Sequence, residues 1–136
     1  MAINFSNINL EVIDVTVNAS PDIFVNVNGV TFSKRVLEDL NYPQYVQYCY
    51  DAAQHIFAVR VCKSNVDKAV SFSKPKAEQT ATVSTTNKNI HDVVAKMIPD
   101  YDPKKRYKVV GYFDADNRVV MYDMSEAVES AFRAQK

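Results

Sequence analysis

The chain has 136 residues, 47% of them apolar and 24% charged, and its sixteen basic and sixteen acidic side chains cancel. That length supports one hydrophobic core without disulfides or metal, and the composition excludes the disordered and membrane-spanning classes. Neutrality argues against a protein that coats nucleic acid non-specifically, although residues 67–108 carry nine bases against five acids and leave room for a local basic face.

No apolar run approaches the roughly 20 residues needed to cross a bilayer. The start, Met1-Ala2-Ile3-Asn4-Phe5-Ser6-Asn7, has neither a basic nor a continuous apolar signal region. A cytoplasmic protein with no membrane partner is therefore expected. Cys49 and Cys62 have no CxxC or zinc spacing, which predicts two reduced, buried thiols.

In chain order, residues 8–17 are rich in β-branched side chains and predict an extra N-terminal strand. Ile23, Val25 and Val27 alternate up to Asn28-Gly29, which predicts a hairpin over 23–32. Ser33 is placed as the N-cap of a short helix over 34–40, with Val36, Leu37 and Leu40 inward and Asn41 and Pro43 ending it. Strands Tyr45 to Tyr50 and Ile56 to Cys62 form a second hairpin, and a short strand near residues 69–72 precedes a connector.

The order of signals then returns. Thr80 to Ser84 reads as a strand, and Ile90, Val93, Val94, Met97 and Ile98 mark a helix that Pro99 closes. Strands Arg106 to Phe113 and Arg118 to Asp123 flank Asp114-Ala115-Asp116-Asn117. The two hairpins align without gaps, with Tyr50-Asp51-Ala52 over Phe113-Asp114-Ala115, Gln54 over Asn117, His55 over Arg118 and Ile56 over Val119. Asp123-Met124-Ser125-Glu126 has capping-box spacing and predicts a C-terminal helix over about 124–134. The expected organisation is one domain over 1–136: repeat one at about 23–63, a connector at 64–79, repeat two at about 80–124, then the helix.

Thr31-Phe32-Ser33-Lys34, the short helix Arg35 to Leu40, the Tyr42-Pro43 break and the hairpin ending in Ala58-Val59-Arg60-Val61 resemble the AbrB/MazE/SpoVT swapped-hairpin family. Lys34 falls where that family's Lys follows the strand, and Leu40-Asn41-Tyr42 where Leu-Gly-Ile is usual. The second copy keeps the order, with Ser84-Thr85-Thr86-Asn87-Lys88 at the place of the Pro-Lys step. The resemblance implies a mostly β, α+β fold: a swapped-hairpin-like β-barrel built from two strand–helix–hairpin repeats. It further implies a DNA-binding transcriptional regulator acting as an internal pseudo-dimer, or as a homodimer of such chains. Carried over residue by residue, the DNA contacts fall on Thr31, Ser33, Lys34, Arg35 and Lys88. The first unit also resembles uncharacterised small proteins of bacterial mobile elements and phages. The alternative is thus a non-enzymatic inhibitor or sequestering module that holds a protein or small polar ligand instead of double-stranded DNA.

Lys104, Lys105, Arg106 and Lys108 form the densest basic run and are a candidate basic surface, with Tyr101, Tyr107 and Tyr112 around them. Basic and aromatic interleaving suits single-stranded nucleic acid, while edge lysines also block unwanted strand pairing. Asp100, Asp102, Asp114 and Asp116 lack the Gly and terminal Glu of a calcium loop and read as turn residues. His55 and Cys49 have no spacing that marks a catalytic pair, and Gly29 and Gly111 alone exclude a Gly-rich phosphate loop. No catalytic residue, metal or cofactor is expected.

Overall fold

A computed structural model of the chain describes residues 9–13, 20–79 and 82–130. The alternating stretch Ile23–Asn26 forms β1, which turns through Val27 and Asn28 into β2, Gly29–Phe32. The turn lies one residue earlier than Asn28-Gly29 predicts. Gly29, at φ 140°, opens β2 because a Cβ there would lie 2.0 Å from the Thr85 carbonyl oxygen. Helix α1, Lys34–Asp39, buries Val36 and Leu37. It stops where Asn41 and Tyr42 take left-handed φ values of 59° and 51° ahead of Pro43.

Strands β3, Tyr45–Asp51, and β4, Ile56–Val61, form the second hairpin, and β5, Val70–Ser71, returns to pair with the start of β3. In the second half come β6, Val83–Thr85, and α2, Lys88–Met97, where the Asn87 side chain accepts the Ile90 amide at 3.2 Å. Residues 80 and 81 of the expected strand lie outside the described residues. The single strand expected over 106–113 is two: β7, Arg106–Val109, and β8, Gly111–Asp114, break at Val110 and enter different sheets. Gly111 permits the crossing, because a Cβ there would sit 2.3 Å from the Pro21 carbonyl oxygen. Strand β9, Val119–Asp123, completes that hairpin.

Two expectations at the ends are corrected. Residues 9–13 form no strand, and Leu10, Val12 and Ile13 are exposed; the rest of the expected N-terminal strand lies outside the described residues. In place of a C-terminal helix, Met124–Glu126 make one 3-10 turn capped by Asp123, and Val128–Ser130 form β10. The capping signal acts for a single turn. The open edge of β7 then captures the chain, pairing Val128 with Lys108 and Ser130 with Arg106. Residues 131–134 lie outside the described residues.

The fold is mostly β, α+β: two five-stranded antiparallel sheets, β10-β7-β1-β2-β6 and β5-β3-β4-β9-β8, with two helices. Between them lies one core, including Ile23, Val25, Phe32, Leu37, Leu40, Val46, Phe57, Val59, Val94, Val109, Val120 and Tyr122. Phe32 of the first sheet packs on Tyr48 of the second at 6.0 Å and on Phe72 at 5.2 Å, contacts that join the layers.

An internal two-fold relation runs through this arrangement. Central strands β4 and β9 pair from Ile56–Arg60 onto Val119–Asp123, the stretches that the sequence alignment superposes. Both hairpin turns are built alike: Asp51 accepts the Gln54 side-chain amide and Asp114 that of Asn117, each at 2.8 Å. His55 and Arg118 then take left-handed φ values of 60° and 49°. The Val61 amide donates to Arg118 O at 3.0 Å, and its counterpart Met124 to His55 O at 2.7 Å.

Each turn reaches the other half's helix. His55 Nδ1 donates to Met97 O at 2.8 Å at the end of α2, and Arg118 Nη2 to Leu40 O at 3.0 Å at the end of α1. These carbonyls belong to helix ends, where the backbone lacks internal partners. These two bonds tie the halves together. Strand β5 pairs with the start of β3 at Tyr45, and β10 pairs with β7 at Lys108, the position aligned with Tyr45, although β7 and β8 lie in different sheets.

Candidate functional site

Burial of Ile23, Val25, Val30, Phe32, Tyr107 and Val109 turns the alternate residues of β1, β2 and β7 to the outer face of the first sheet. Strand register sets one row across all five strands: Val128, Lys108, Phe24, Thr31 and Ser84. Ser84 Oγ donates to Thr31 Oγ1 at 3.1 Å, which fixes the hydroxyl pair at one end. Arg106, two residues from Lys108 and on the same face, lays its guanidinium 4.1 Å from the centre of the Phe24 ring. Lys108 lies 3.4 Å from Asp22. Its side chain is 41% exposed, which leaves the ammonium open to a second anion from solvent. The face thus offers two cations on β7, an aromatic ring beside them on β1 and a pair of hydroxyls.

The structure brings three of the sequence-derived residues together here: Thr31, Arg106 and Lys108. Lys34 follows the end of β2 and Lys88 follows β6. Because those strands are antiparallel, the two lysines stand at opposite ends of the pair and form no common patch. Lys88 instead lines a recess of about 430 Å³ with Asn28, Thr86, His91 and Asp92.

Others are engaged elsewhere. Arg35 bonds Asp39 at 2.9 Å one helical turn on, and Lys105 Nζ lies 3.2 Å from Glu129. Ser33 occupies the cap position of α1 without a side-chain capping bond, and its Oγ is buried with no partner. Lys104 is exposed before β7 begins. Phe24 and Ser84 were not singled out by sequence. The signal for Phe24 was an aromatic ring on the outward side of the Ile23/Val25 alternation.

No cluster of three metal-ligating side chains occurs among the described residues, and both cysteines are free and half-buried rather than fully buried. His91 Nδ1 donates to the Asp92 carboxylate at 3.1 Å, and its Nε2 bonds the Tyr101 hydroxyl at 2.8 Å. Tyr101 in turn stacks on Tyr107 at 5.3 Å, so this group braces the loop after α2. No described helix is long and apolar enough to cross a membrane. Compared with protein-family models, curated proteins and solved structures, the chain matches none.

Proposed function

We propose that this is a non-enzymatic DNA-binding protein of the regulatory type, built as a single-chain pseudo-dimer that presents the outer face of its first sheet to nucleic acid. The observation that carries the reading is the register row holding Lys108, Phe24 and Thr31 with Arg106 beside them. Cations supply the sequence-independent attraction to phosphates, and hydroxyls and the Arg fork supply positioning. The bonds from each hairpin turn to the other half's helix end support the finer expectation of a swapped-hairpin barrel of AbrB-like kind, in which each hairpin completes the other unit as two separate chains would do for one another. A cytoplasmic location accords with this role.

A titration of labelled duplex DNA tests the proposal, since binding that neutralises phosphates weakens as salt rises. Replacing Arg106 and Lys108 together by Glu removes it.

A second reading, a protein-sequestering module of phage or mobile-element type, draws on the opposite surface. On the outer face of the second sheet, Cys49, Ala58, Met121 and Tyr112 form an apolar row, with Asp51, Asp114 and Asp123 on the same side. Met121 is 37% and Tyr112 55% exposed. Substituting Lys at both positions while duplex binding persists separates the surfaces; loss of DNA binding in that variant counts against the first-sheet assignment.

A further inference from the structure

We propose that the Phe24–Arg106 stack is a seat for an unpaired base, so that the first sheet takes single-stranded nucleic acid in preference to duplex. The inference rests on the nucleic-acid reading above and names the form of the partner.

Phe24 lies on the central strand of the five-stranded sheet, on the outer face, with Lys108 paired to it on one side and Thr31 on the other. A ring there is not needed to fill the core, which Ile23 and Val25 complete from the opposite face at 0% exposure. Arg106 covers the ring at 4.1 Å. A guanidinium is planar, weakly hydrated and attracted to the ring face, so the stack holds it as a flat platform instead of a freely swinging cation.

Such a platform recognises a flat partner. In a duplex each base face is covered by its neighbours, and a β-sheet that meets the outside of the helix finds only phosphate, sugar and base edges. Unpaired bases expose their faces and stack on aromatic rings or on guanidinium planes. The Arg106 plane receives the base, and Lys108, one row along, meets a flanking phosphate. The bonded hydroxyls of Thr31 and Ser84 stand on the other side of the ring within the same row, where they meet the sugar or a base edge.

The test uses the whole chain with two labelled probes of equal length, an oligothymidylate and a mixed-sequence duplex, read by fluorescence anisotropy. Two variants accompany it: Phe24→Leu, which removes the ring, and Arg106→Lys, which keeps the charge and loses the plane. The expected result is tighter binding of oligothymidylate than of duplex. Arg106→Lys then weakens the single strand by roughly tenfold, the scale of one lost base stack, and narrows the preference for oligothymidylate over duplex. Because Phe24→Leu alters a sheet position, its urea midpoint is measured alongside, and Arg106→Lys carries the test if the Leu variant does not fold. Equal affinity for the two probes, or single-strand binding untouched by Arg106→Lys, overturns the stacking seat and leaves nucleic-acid binding standing. Binding of neither probe overturns both.

Discussion

Arg118 offers the most searching test of the contacts between the two halves. Its Nη2 donates to Leu40 O at 3.0 Å from a backbone held at φ 49°, so one residue carries both a favourable bond and an unfavourable conformation. A hydrogen bond from a charged donor contributes about 1.5–3 kcal/mol. The left-handed conformation costs an L-residue about 1–2 kcal/mol and glycine almost nothing. Arg118→Ala keeps the strain and loses the bond, for a net loss of about 2 kcal/mol. Arg118→Gly loses the same bond and relieves the strain, for a net loss of about 1 kcal/mol or less. Urea unfolding at constant m resolves the two: with m near 2 kcal/mol/M, the Ala variant's midpoint falls by about 1 M and the Gly variant's by half that or less. An Ala variant as stable as the parent refutes the cross-half contact, and a Gly variant as damaged as the Ala one refutes the left-handed strain. The same pair of substitutions at His55, whose Nδ1 donates to Met97 O at 2.8 Å from a backbone at φ 60°, gives shifts in the same order.

Other outcomes follow from the packing. Gly111→Ala, with its Cβ forced to within 2.3 Å of the Pro21 carbonyl oxygen and 2.8 Å of Tyr122, costs about 1–3 kcal/mol by overpacking, checked by thermal or urea unfolding. Burial pushes the Tyr48 hydroxyl up to about 12 from its ordinary 10.0. The unfolded chain therefore ionises first: stability is full below pH 10 and is lost progressively towards pH 12, by about 2–3 kcal/mol for this one group. Tyr48→Phe flattens that alkaline decline. At the acid end, hydrogen bonds from the Asn117 side chain and backbone hold the Asp114 carboxyl below its ordinary range. Its contribution is present above the unfolded carboxylate range and fades as pH falls through the lowered value, and Asn117→Ala shrinks that acid dependence.

The parts of this fold that were readable in sequence are those where a local pattern and its tertiary environment agree. The two hairpin turns are an example: Asp51 with Gln54 and Asp114 with Asn117 carry the turn chemistry in residues only three apart. Helix α2 was similarly legible from its apolar spacing and from Pro99. Where a distant strand decides, the local signal misleads. Capping at Asp123 begins a helix, but the unpaired edge of β7 draws Val128–Ser130 into a sheet. The run from Arg106 to Phe113 alternates like one strand, and only the proximity of Pro21 to Gly111 reveals why it must pass from one sheet to the other.

The site was legible to a lesser degree for the same reason. Thr31 and the run around Arg106 were each visible as polar or basic positions, but nothing in their spacing tells that β1 lies between them and carries Phe24. Nor does spacing tell that Arg35 is bonded to Asp39, or that Ser33 is turned inward with its hydroxyl unpartnered.

The most direct measurement for the account is the affinity of the intact chain for labelled nucleic acid, single-stranded and duplex, at low and at physiological salt, beside the Arg106→Glu/Lys108→Glu variant. The account predicts binding that weakens as salt rises and disappears in the double variant while its unfolding midpoint stays close to the parent's. Absence of binding at low salt, or binding that the double variant retains, contradicts it.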